Sequence, residues 1–175
     1  AEGDQLDSSY GTPLLVERED VTDLVLAVPQ EIWGINPETG KLRWFATHGL
    51  PGNVSPSVVQ AGGTLFMFGG YPTTGAAALR VEATGDLTDS GFLWKTGVTS
   101  YVPTPVFHQD HLYVINDAGF ALCIDAKTGE EVYRERAIQD GPRGRGKPFY
   151  ASPIRVGSRI YCVSRKSGTF VLEAA

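Results

Sequence analysis

The chain has 175 residues, of which 42% are apolar and 20% charged, and its net charge is −5. That balance fits a β domain with a substantial core and gives no general basis for nucleic-acid binding, which needs clustered Lys and Arg. The longest apolar runs, such as Leu24 to Val28, are far too short to cross a bilayer.

A Ser/Thr-Pro step recurs four times, as Thr12-Pro13, Ser55-Pro56, Thr104-Pro105 and Ser152-Pro153, each opening a run that reads as a short strand. Successive prolines stand 43, 49 and 48 residues apart, the length of one four-stranded propeller blade. Such a repeat cannot bury its sheet alone, so neighbouring sheets must stack around an axis. The predicted fold is all-β: one partial β-propeller domain of about three and a half to four blades of four antiparallel strands. Its approximate repeats are 10–46, 54–96, 103–137 and 151–175, the last incomplete.

In chain order, the first repeat carries the turn Asn36-Pro37-Glu38-Thr39-Gly40 before Leu42-Arg43-Trp44. The second has Glu82-Ala83-Thr84-Gly85-Asp86 and then a longer insertion, Leu87 to Phe92, ahead of Leu93-Trp94. In the third, Val106-Phe107 leads through the polar turn His108 to His111 into Leu112 to Ile115; the turn Asn116 to Gly119 and the strand Phe120 to Ile124 follow. That repeat closes with Asp125-Ala126-Lys127-Thr128-Gly129 and Val132-Tyr133. The fourth reads as a hairpin, Ile154 to Val156 and Ile160 to Val163 around Gly157-Ser158. Glycine tolerates positive φ in the Thr-Gly turns, while Asn or Asp caps them through its side chain. At about 45 residues per blade the chain supplies fewer than four full blades. It is expected to be a segment of a larger propeller, or a half that pairs with another copy.

The pattern Ile35-Asn36-x-x-Thr39-Gly40-x-x-x-Trp44, with Ile124-Asp125-x-x-Thr128-Gly129-x-x-x-Tyr133, resembles the tryptophan-docking repeat of quinoprotein dehydrogenase propellers. The whole chain resembles a PQQ-like repeat protein, and its insertion resembles a bacterial subgroup of which some members are described as related to serine/threonine kinases. The resemblance implies that Trp44, Trp94 and Tyr133 pack between adjacent blades. It also implies an extracytoplasmic bacterial protein, periplasmic or secreted. No signal peptide is read in the sequence, and a leader is expected to lie outside this chain.

Two function classes follow. The first is a non-catalytic binding or scaffolding module for a protein or other ligand, as in PQQ-like assembly-factor propellers. The second is a fragment of a dehydrogenase using pyrroloquinoline quinone (PQQ) and calcium. The residues favour the first, because the adjacent Cys-Cys pair often found beneath the quinone is absent and the acidic residues fall mainly in the first segment, in Thr-Gly turns and in the insertion. No catalytic, cofactor-binding or metal residues are assigned. His108 and His111 have HxxH spacing, but they occupy a hairpin turn with no Cys or third His nearby. Cys123 and Cys162 each lie inside an apolar strand and read as buried free thiols, with a disulfide as the alternative. Kinase and phosphate-loop signatures are lacking.

One basic, glycine-spaced loop stands out, Gly141 to Pro148. In a propeller, connections between blades share a face with the second-to-third strand loops. That face would gather 47–53, 71–75, 99–101, 116–119, 143–150 and 165–167. Its candidate binding residues are Tyr71, Tyr101, Asn116, Arg143, Arg145, Lys147, Tyr150, Arg165 and Lys166, with an anionic ligand or acidic protein surface as the matching partner. A solvated connection is the alternative reading of the basic loop. Open blade faces and strand edges also predict self-association.

Overall fold

The computed structural model describes residues 6–18, 20–98, 100–137 and 148–174. Blade 1 is built from β1 (Leu14–Arg18), β2 (Val21–Val28), β3 (Glu31–Ile35) and β4 (Leu42–Thr47), each antiparallel to the next. Blade 2 follows as β5 (Val59–Ala61), β6 (Thr64–Gly69) and β7 (Gly75–Arg80); its outer strand is β9 (Phe92–Thr96). Between these, β8 (Gly85–Asp86) leaves blade 2 and runs parallel to β4, setting Gly85 against Trp44 and Asp86 against Phe45. Blade 3 comprises β10 (Val106–His108), β11 (His111–Ile115), β12 (Phe120–Asp125) and β13 (Glu131–Arg136). Blade 4 comprises β14 (Ile154–Val156), β15 (Arg159–Val163) and β16 (Thr169–Glu173). The chain is therefore all-β, a partial propeller whose four sheets form no closed ring among the described residues.

The turns explain why these strands pair as they do. Gln109 and Asp110 join β10 to β11 with φ of 47° and 63°, the two positive values of a type I′ turn, whose twist matches its flanking strands. In the Thr-Gly turns Asn36 Oδ1 accepts the N–H groups of Glu38 and Thr39, and Asp125 Oδ1 those of Lys127 and Thr128. A bulge at the same place in three blades, after Gly34, Ala78 and Cys123, sets those residues opposite Trp44, Trp94 and Tyr133.

The apolar strands bury both faces because each blade packs on the next. Val25, Ile32 and Trp44 of blade 1 meet Leu65, Met67 and Leu79 of blade 2. Phe66 and Phe68 of blade 2 meet Leu112, Val114 and Leu122 of blade 3. Tyr113, Ile115 and Cys123 of blade 3 meet Phe149, Ile160 and Cys162 near or within blade 4.

The Ser/Thr-Pro steps acquire a physical role here. The Thr12 N–H donates to Ser57 Oγ, the Ser57 N–H to Thr104 Oγ1 and the Thr104 N–H to Ser152 Oγ, each at 2.9 Å. A belt of identical hydrogen bonds thus links the starts of the innermost strands from blade to blade. In the second repeat the hydroxyl after the proline, Ser57, takes the place that the one before it has in repeats three and four.

Trp44 is 1% exposed and lies over its own blade. A Cβ at Gly34 would sit 2.0 Å from the indole Cε2, so glycine is required by close approach. The indole Nε1 donates to Asp23 at 2.9 Å, and the fully buried Asp23 carboxylate also pairs with Arg18 and Arg43. Burial pushes the Asp23 carboxyl up, but hydrogen bonds from Arg18, Trp44 and Arg43 outweigh it and hold the group below its ordinary value.

Trp44→Ala is expected to cost about 3 to 5 kcal/mol, the range for emptying a large buried aromatic site. Gly34→Ala, which pushes the same indole out of place, should cost about 1 to 3 kcal/mol. Urea unfolding midpoints check both; a midpoint unchanged in either variant contradicts this packing.

Candidate binding face

Connections between blades and the second-to-third strand loops share one rim, because strand direction alternates across each blade. The first connection is anchored by His48. Its Nε2–H donates to Val28 O at 3.0 Å, and its Nδ1 accepts the Leu50 N–H at 2.9 Å. The N–H groups of His48 and Gly49 both reach Gln30 O in the β2–β3 turn. Further along, the Gly70 N–H bonds to Asn53 O and the Tyr71 N–H to Pro51 O, each at 3.0 Å. Loops that read as irregular in the sequence are therefore hydrogen-bonded to one another.

Two clusters rise from this rim. Between blades 2 and 3, the Tyr71 and Tyr101 rings lie 5.1 Å apart at 40°, and Asn53 Nδ2 donates to the Tyr101 hydroxyl at 3.1 Å. Tyr71 is half exposed. Between blades 3 and 4, the Arg165 guanidinium stands 4.8 Å over the Tyr150 ring, while the Arg165 N–H bonds to Pro148 O at 2.8 Å. Lys166 is exposed beside it. A cation over an aromatic face leaves the guanidinium edge open to an anion.

Other candidates fall elsewhere. Asn116 is buried, and its Oδ1 accepts the N–H groups of Ala118 and Phe120, so its side chain holds a turn. Arg143, Arg145 and Lys147 lie outside the described residues. Thr39, Gly40, Thr128 and Gly129 sit in turns on the opposite rim. Trp94, half-buried, lies against Gly129 of blade 3 and donates from Nε1 to Ala126 O at 3.0 Å. Tyr133 packs against the core shared by blades 3 and 4, where burial and the nearby Cys123 push its phenol up to about 12. Cys123 and Cys162 are buried free thiols; burial pushes Cys162 up to about 11, far from a reactive thiolate.

The sequence reading placed His48 and Asn53 on the loop face without singling them out, and it missed Asp23. His48 and Asn53 stand among Gly and Pro in a connecting loop, where a polar side chain with two bonding positions is a signal for loop locking. Asp23, an acid inside the apolar run of β2, carried its own signal, since an unpaired charge does not persist in a core. His108 and His111 face each other across the β10–β11 turn. Among the described residues no group of three or more His, Cys, Asp or Glu gathers as a metal site. No helix among them is long and apolar enough to cross a membrane, which says nothing of a β-barrel.

An arc of four sheets stacked around an axis, three of them closing on a Thr-Gly turn or its variant, defines a class: the PQQ-like propellers. The chain belongs to that family, whose model, described as "Outer membrane protein assembly factor BamB", matches residues 4–173. Among solved structures, BamB from Moraxella catarrhalis is similar at 13% identity and a TM-score of 0.68, over 95% of this chain and 50% of that one. Quinohemoprotein alcohol dehydrogenase ADHIIG from Pseudomonas putida HK5 is similar at 17% identity and a TM-score of 0.60, over 83% and 21%. The computationally designed Ika4 protein is similar at 11% identity and a TM-score of 0.61, over 97% and 95%. No curated protein matches the chain. These likenesses establish the fold, and the chain spans about half the length of the BamB structure.

Burial, with the positive charge of Lys95, pushes the His48 imidazole down from its ordinary 6.5 to about 4, against the bonds to Val28 and Glu31 backbone that raise it. The unfolded chain takes up this proton below pH 6.5 and the folded one does not, so the stabilisation is full above pH 6.5 and lost as pH falls towards 4. It amounts to about 3 kcal/mol. Urea midpoints should drop across this window, and His48→Gln should flatten that drop; an equal slope in the variant contradicts the assignment.

Proposed function

We propose that this chain is a non-catalytic binding propeller that docks a protein segment on its loop rim. One observation carries the reading: exposed Tyr71 with half-buried Tyr101, and exposed Arg165 with Tyr150, stand on loops tied together by hydrogen bonds. A side chain held in place before binding loses less entropy on contact, so such a rim suits recognition. Tyr and Arg are also the residues that most often dominate interface energetics. The matching partner is an extended segment presenting apolar or aromatic side chains beside a carboxylate.

The family description as an assembly factor for outer-membrane proteins supports this class of partner, and with it an extracytoplasmic setting. Likeness to a quinohemoprotein alcohol dehydrogenase is a likeness of fold, and function resides in sites grafted on folds. The acids with lowered pKa, Asp23, Asp86, Asp125 and Glu131, are each held by hydrogen bonds within turns, strands or ion pairs.

The test is a titration with a fluorescently labelled outer-membrane β-barrel protein diluted from urea. Tyr71→Ala with Tyr101→Ala, or Arg165→Glu, should weaken binding about tenfold, equivalent to about 1.4 kcal/mol. Lys127→Glu, on the opposite rim, should leave it unchanged. Equal affinity in all variants rejects the rim as the docking site. Dye-linked alcohol oxidation on addition of PQQ and calcium rejects the non-catalytic reading itself.

A further inference from the structure

Each of the three inter-blade grooves carries an exposed cation laid over an aromatic ring. Between blades 1 and 2 the Lys95 ammonium stands 3.9 Å over the Phe92 ring and donates at 3.3 Å to the carbonyl of Thr47, where β4 enters the loop rim. Between blades 2 and 3 the Arg136 guanidinium lies 4.5 Å over the Phe120 ring. The groove between blades 3 and 4 holds Arg165 over Tyr150. Phe92 and Phe120 pack against the cores shared by their two blades, so each ring is a fixed platform. The Ala137 N–H bonds to Gly119 O at 3.0 Å and holds the end of β13 against the turn before Phe120. Phe120 shares its core with Val98, on the connection that carries Tyr101, so Arg136 belongs to the same groove as the Tyr71–Tyr101 pair.

None of these three cations has a carboxylate partner among the described residues, whereas Arg134, two residues before Arg136, is matched by Glu131 at 2.6 Å. Glu135 projects from the other face of β13, because successive strand residues alternate. Asp86 and Asp89 lie on the insertion beside β4, and neither pairs with Lys95. In the described connections and second-to-third strand loops the only carboxylate is Asp117; Asp7 stands near them, on the segment that pairs with Val54. The turns of the opposite rim carry more acid than base, with Glu38, Glu82, Asp110 and Glu130 against Lys41 and Lys127. A chain of net charge −5 thus keeps unneutralised cations on one rim, and its field favours approach of an anionic partner from that side alone.

We propose that the loop rim binds an extended acidic segment of a partner protein that crosses successive blades, its carboxylates meeting Lys95, Arg136 and Arg165 while an aromatic side chain between them settles on Tyr71 and Tyr101. This rests on the reading of the rim as the docking face and adds the partner's charge and path. Charge complementarity selects the occupant. A guanidinium stacked on a ring keeps its N–H edge free for a carboxylate, which it can grip through two parallel hydrogen bonds. The cations stand in separate grooves, one blade apart, which suits carboxylates spaced along a chain; an anionic lipid surface calls instead for Lys and Arg gathered in one cluster. Lys95 and Arg136 enter the site only through the fold, since their strands bring them to the grooves from outside the loops.

Fluorescence anisotropy with a labelled synthetic peptide rich in Asp with interspersed Tyr tests this, beside the same peptide carrying Asn in place of each Asp. The Asp peptide should bind more tightly than the Asn peptide, and its affinity should fall as salt is raised. Lys95→Gln, Arg136→Gln and Arg165→Gln should each weaken it about fivefold, the upper end for an exposed ion pair. Arg136→Gln combined with Arg165→Gln should weaken it roughly twenty-five-fold, since separate sites add. Lys41→Gln, on the opposite rim, should change nothing. All four side chains are exposed, and unchanged urea midpoints show that the variants fold. If affinity falls in Tyr71→Ala with Tyr101→Ala but not in the three cation variants, the acidic path is wrong and the docking rim stands; if neither set matters, both fall. Equal binding of the two peptides, or binding to phosphatidylglycerol vesicles and not to the Asp peptide, also overturns the proposal, as does no binding at all.

Discussion

A small sheet with apolar side chains on both faces can hide neither face alone, and every other feature of this chain follows from that constraint. Three inter-blade cores solve it internally, each joining side chains of two blades. Near the inner rim the packing is reinforced by a directional element, the hydroxyl belt, which fixes the position of one blade relative to the next in a way that apolar contact cannot. Each net hydrogen bond contributes about 0.5 to 1.5 kcal/mol. The belt's larger effect is to hold successive innermost strands in register.

The aromatic that closes each repeat shows how one position serves different ends. Opposite Trp44 stands Gly34, and the indole lies flat on its own blade to reach the buried Asp23. Ala78 stands opposite Trp94, which instead crosses to blade 3, meeting Gly129 and Ala126. The buried carboxylate with two arginines and an indole is a fully paired network, stable because each partner of the ion is present and costly if one is removed.

Edges and loops complete the division of labour. The outer strand of blade 1 is covered by β8, and that of blade 3 carries the charged run Glu131-Val-Tyr-Arg-Glu-Arg136, two ways of blunting an edge against unwanted pairing. Above the strands the blades act as a rigid support for the loop rim, whose contacts place Tyr71 against Tyr101 and Arg165 over Tyr150.

The sequence by itself determined the period, the all-β class and the Thr-Gly turns, because proline spacing, glycine at positive φ and Asn or Asp capping are local and leave local traces. It also placed the connecting and second-to-third strand loops on one rim, since strand alternation does so without reference to distant contacts. Only the tertiary structure decided which of them meet. That Ser57 and not Ser55 joins the belt, that β8 departs to pair with β4, and that Arg165 stands over Tyr150 all depend on residues 15 to 47 positions apart. Asp23 is the sharpest case: its neighbours along the chain do not reveal that Trp44 and Arg43 converge on it from the outer strand, because only the pleat and register of the folded sheet bring them there.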